Sequence, residues 1–117
     1  FRRPATAVEV DRYAKVVDDE IASKEKPEDA LKTGFLAILC SKDFLYVVEG
    51  STAEARDRLT DWELASRLSY FLWGTMPDAA LFAAARAGTL HTPAVLKEQT
   101  ARMLADPKAA RFVEAFP

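Results

Sequence analysis

Apolar residues recur along this chain at the spacing of helix faces, and cap signals punctuate the recurrences. Val10, Tyr13, Ala14, Val17 and Ile21 fall at i, i+3, i+4, i+7 and i+11, behind Thr6 and Glu9 at capping-box separation. They predict a first amphipathic helix. Its solvated side carries Asp11, Arg12, Lys15, Asp18 and Asp19, with Asp11 and Lys15 able to pair. SKEKPED ends the pattern, and Pro27 opens a second helix with Glu28 and Asp29 near its positive end. Leu31, Phe35, Ile38 and Leu39 give its inner face. GFLAILC, residues 34–40, has no polar side chain besides the thiol, so this helix is expected to be enclosed on most sides, with Cys40 as core filler. FLYVVE, residues 44–49, is β-branched and aromatic, and periodicity leaves helix and short strand open there, leaning to helix.

The best-punctuated stretch follows. In LTDWELASRLSYFLWGTMPD, residues 59–78, Thr60 and Glu63 form a second capping box, Gly74 suits a left-handed C′ position, and Pro77 stops further helix. A helical wheel puts Leu64, Ala65, Leu68, Phe71 and Leu72 on one face and Trp62, Ser66, Ser69, Tyr70 and Trp73 roughly opposite. Both faces can be buried, leaving Glu63 and Arg67 as a surface pair. AALFAAARA then reads as a short helix packed through Leu81 and its alanines and stopped by Gly88. Thr92 and Pro93 start another, anchored by Leu96, Met103 and Leu104, with Glu98 and Arg102 as an exposed pair. Asp106 and Pro107 repeat the cap-then-proline signal, and Ala109, Phe112, Val113 and Phe116 outline a last amphipathic helix whose face stays open. The whole predicts an all-α, compact bundle of five to six short helices with no extended sheet. Residues 1–49 form an N-terminal helical pair, 50–58 a connector, and 59–117 the start of a second helical domain continued beyond its last helix.

Totals change this picture little. The chain has 117 residues, half of them hydrophobic, with 16 basic against 18 acidic side chains. That is enough to bury a real core, and the charge balance argues against non-specific nucleic-acid binding, which needs a concentrated positive surface. Cys40 is the sole cysteine, so neither an intrachain disulfide nor a thiolate metal cluster can form from this chain alone. No apolar run is long enough to span a membrane, and FRRPATAVEVDRY has charges where a signal peptide needs its apolar region. An exported parent would carry its signal upstream.

Candidate chemistry is sparse. His91 sits in a predicted loop with no second histidine, so a metal site there would need carboxylates from elsewhere. The acid pairs Asp18 and Asp19, and Glu28 and Asp29, point about 100° apart and read as a solvated face and a helix N-terminus. Trp62 and Trp73, about 16 Å apart along one helix, could join Tyr70 in an aromatic platform for a sugar ring or a partner. Burial under neighbouring helices is the favoured reading of all three. Arg2 and Arg3, and Arg56 and Arg58, form two small basic clusters read as solubilising.

FRRPATAVEVDRY, LYVVE, LTDWELASRLSYFLWGTMPDAAL and RMLADPKAARFVEAF, in this order and spacing, resemble the paired domains of unknown function in large multidomain proteins of planctomycetes and related bacteria, which often carry a cytochrome-c-like domain. The resemblance spans nearly the whole chain and implies a periplasmic or extracellular parent, redox-linked or engaged in polymer breakdown, with no established catalytic residues in these domains. A CxxCH haem-attachment motif is missing here, so any haem lies elsewhere in the parent. The expectation is a non-catalytic helical scaffold or interaction module docking neighbouring domains of its parent, with self-association through Phe112, Val113 and Phe116. The alternatives are a carbohydrate-binding or substrate-handling module using Trp62, Tyr70 and Trp73, and a surface that docks a cytochrome domain.

Overall fold

The computed structural model describes residues 1–47, 49 and 58–115. Among them are seven α-helices, one 3₁₀ turn and no strand, so the fold is all-α. The chain divides near Glu49 into two compact units. Arg58 apart, the connector reading of residues 50–58, Arg56 included, lies outside the described residues, as do Val48 of the FLYVVE run and Phe116.

The first unit is a helical hairpin. Helix α1 (Ala7–Ala22) starts at the capping box, with Thr6 Oγ1 accepting from the Glu9 N–H and the Glu9 carboxylate accepting from the Thr6 N–H. At its other end Lys24 takes the left-handed conformation (φ 66°) that glycine usually supplies, at a cost of about 1–2 kcal/mol for a residue with a Cβ. The chain then turns into α2 (Pro27–Leu39), whose first turn holds Glu28 and Asp29. The two helices meet where Gly34 is buried: a Cβ there would lie 2.5 Å from Val17 Cγ2. Ala30 and Gly34 are the buried residues of α2, while α1 has none.

That sparse burial overturns one expectation. Phe35, Leu36 and Leu39 are exposed rather than enclosed, and Cys40 is exposed rather than core filler. Ala30 and Gly34 are covered and Ala37 and Ile38 are half-buried, while Leu31, Phe35, Leu36 and Leu39 stay exposed. Val10 and Ile21 of the predicted inner face of α1 are likewise exposed. Lys15 pairs with Asp19 (2.7 Å) instead of Asp11. Both carboxylates lie four residues from the lysine, and at such exposure the choice carries little energy. A single turn, α3 (Lys42–Leu45), follows with Ser41 as its cap, so the FLYVVE run begins helical and leaves the helix at Tyr46.

The second unit is built around α4 (Asp61–Trp73). Its capping box is formed as read, and Gly74 closes it in the left-handed conformation (φ 63°). Around it stand α5 (Ala79–Arg86), α6 (Pro93–Ala105), the 3₁₀ turn Pro107–Ala109 and α7 (Ala110–Ala115). The core is formed by Ala65, Leu72, Trp73, Leu81, Ala85, Leu90 and Met103. The stripe of α4 that faces it is Ala65, Ser66, Ser69, Leu72 and Trp73, rotated from the purely apolar face of the wheel. Small residues at 65, 66 and 69 let neighbouring backbone approach and leave room for the Trp73 ring. Phe71 is exposed, with its ring centre 4.9 Å from that of Phe112. Leu104, expected as an anchor, is exposed, and Leu90, in the turn between α5 and α6, is completely buried.

Candidate functional site

Two kinds of surface are candidates: apolar faces left open by the hairpin, and polar clusters of the second unit. On one side of the α1 and α2 seam is an open groove of about 300 Å3. Gly34 and Val17 line it, together with Phe1, Val10, Tyr13 and Phe35. Its charged member, Glu9, is fully engaged. Arg3 donates Nη1 and Nη2 to the two carboxylate oxygens at 2.9 and 2.6 Å, and the Thr6 N–H adds a bond at 2.8 Å. The Arg3 guanidinium, helped by the Thr6 N–H, holds the Glu9 carboxyl far below its usual range, while partial burial opposes this. The Phe1 ring rests on Tyr13, 5.9 Å between centres. Such a groove can exclude water from an apolar surface, worth about 25 cal/mol per Å2 covered, and offers no poised acid or base.

Beside it, α2 and α3 present Phe35, Leu36, Leu39, Phe44, Leu45 and Tyr46, all exposed, Phe35 at 63%. Scattered apolar residues at a surface need no explanation, but a run of them along one hairpin arm marks an interaction surface.

In the second unit the three rings of the alternative aromatic platform have different surroundings. Trp73 has no exposed surface. Its Nε1–H donates to the Met103 carbonyl (2.9 Å), and its ring is covered by Lys108 Nζ at 4.5 Å and the Arg102 guanidinium at 5.5 Å. Trp62 and Tyr70 are half-buried, Trp62 packing on Phe82 at 5.9 Å. The three rings do not form one open face.

Arg102 departs from its expected partner. Rather than pairing with Glu98, it makes a two-pronged bridge to Asp78 (2.7 and 3.1 Å) and bonds Gln99 through Nε. Asp78 also caps α5 by accepting from the Leu81 N–H at 2.9 Å. Burial pushes the Asp78 carboxyl up, but the bonds from Arg102 and the Leu81 N–H outweigh it and hold the carboxyl below its ordinary value. Likewise Arg67 pairs with Glu49 (2.6 Å), while Oε2 of Glu63 accepts from the Thr60 N–H. Sequence pattern found neither partner, since local spacing cannot show a contact across 24 or 18 residues.

His91 does have a carboxylate partner. Asp61, in the first turn of α4, receives Nδ1 of His91 at 3.0 Å on one oxygen and the Leu90 N–H at 2.9 Å on the other. The arrangement ties the turn between α5 and α6 to the start of α4 and satisfies the backbone N–H of buried Leu90. Among the described residues no group of three or more His, Cys, Asp or Glu is placed to hold a metal ion, and no helix is long and apolar enough to cross a membrane.

Residues 59–117 match the family model described as PSD4, Protein of unknown function (DUF1592). Residues 1–49 match PSD5, Protein of unknown function (DUF1595). No curated protein and no solved structure matches the chain.

Proposed function

The chain belongs to the PSD4 family of proteins of unknown function, and on that premise we propose that it works as a non-catalytic helical docking module within a larger exported bacterial protein. The observation that carries this reading is the contrast between its apolar and polar groups. Glu9, Asp61 and Asp78 are each tied into bonds that hold a helix start or a turn, whereas Phe35, Leu36 and Leu39 stand in water. Each of these side chains is about half covered, so leaving the rest in water forgoes roughly half of the about 1.5–3 kcal/mol that full burial is worth, a loss that a covering partner reverses. The partner in this reading is an apolar face of a neighbouring domain of the same parent. The family resemblance supports a periplasmic or extracellular address and a cytochrome-c-like domain in the same parent, with haem held outside these residues.

Radical footprinting of the intact parent protein tests the reading. Phe35, Leu36 and Leu39 should be oxidised several-fold more slowly in the parent than in residues 1–117 alone, with Val8 of α1, 69% exposed, as internal reference. Equal reactivity of the three in both proteins would sink it. The carbohydrate alternative would have to work through Trp62 and Tyr70, because the Trp73 ring is closed off by Arg102, Lys108 and the Met103 carbonyl.

A further inference from the structure

We draw no further inference here: the strongest candidate, the apolar groove between α1 and α2 lined by Phe1, Tyr13, Gly34 and Phe35, adjoins the face on which the proposed docking already rests, and nothing in the structure shows what covers it.

Discussion

The indole N–H of Trp73 donates to the main-chain carbonyl of Met103, 30 residues later, and neither residue has any exposed surface. One bond thus fastens the end of α4 to the end of α6 inside the core. Replacing Trp73 with Phe keeps a ring in place but removes one of two donors to the Met103 oxygen, which keeps the Asp106 N–H at 3.3 Å, at an expected cost of about 0.5–1.5 kcal/mol. Trp73→Ala adds a cavity and should cost about 3–5 kcal/mol. Urea unfolding followed by far-UV circular dichroism checks the order. Equal losses in the two variants would mean that the bond, rather than the ring, carries the whole effect.

Asp78 gives the second unit an acid-sensitive joint. Its folded carboxyl titrates below the ordinary value, because the bonds from Arg102 and the Leu81 N–H outweigh burial. A depressed folded value means that the stabilisation is complete above the unfolded value, about 3.9 for an aspartate, and is lost as pH falls through the folded one. Asp78→Asn keeps a capping side chain but gives up the charge. Its deficit relative to the parent sequence should be full at pH 7 and shrink below about pH 4. Chemical denaturation at pH 7 and pH 3 measures this, and a deficit constant across the range would reject the joint.

The two members of the Asp61 and His91 pair should behave very differently. The Asp61 side chain is 10% exposed and satisfies the Leu90 N–H, whereas the His91 side chain is 60% exposed. Asp61→Ala leaves a partly buried donor without its partner and should cost about 1–3 kcal/mol. His91→Ala should stay within about 0.5 kcal/mol of the original. A large loss of stability from His91→Ala, with little from Asp61→Ala, would show that the clamp has been assigned to the wrong member.

What could be read from sequence was whatever is decided within a turn or two. Thr6 with Glu9 and Thr60 with Glu63 close as capping boxes, and Gly74 ends α4 in the left-handed conformation, because each depends only on residues three or four apart or on one backbone angle. Asp78 with Arg102 and Asp61 with Leu90 and His91 depend on how separate helices are stacked, which spacing does not encode. The exposure of Phe35 and Leu36 was missed for a related reason. Hydrophobicity says that a face is worth covering, and says nothing of whether its cover belongs to the same hairpin.

Ser69 is a case in which removing a polar group should help. Its side chain is fully buried on α4, and Oγ has no hydrogen-bond partner among the described residues. Ser66, one turn earlier, instead donates to the Trp62 carbonyl at 2.9 Å. Burying an unpaired hydroxyl costs about 1–3 kcal/mol by mutational measures, and alanine is also the better helix former. Ser69→Ala should therefore raise the melting temperature or leave it unchanged, while Ser66→Ala gains less. Calorimetry showing a clear drop for Ser69→Ala would mean that the hydroxyl has a partner after all.

Gly34 sets how closely α1 and α2 approach. In an exposed helix interior, glycine to alanine is stabilising by about 1 kcal/mol through propensity alone. Here the added methyl would sit 2.5 Å from Val17 Cγ2, well inside contact distance, and a β-branched side chain on a helix has little rotamer freedom with which to withdraw. The helices must then separate, and overpacking of this kind costs about 1–3 kcal/mol. The clash should win, so Gly34→Ala is expected to destabilise the hairpin despite its better propensity. Pairing it with Val17→Ala removes the opposing methyls and should recover much of the loss, leaving the propensity gain visible. Helical signal and amide exchange of α1 and α2, compared across the two single variants and the double, separate these terms. If Gly34→Ala alone proves as stable as glycine, the close approach of the two helices does not exist in solution.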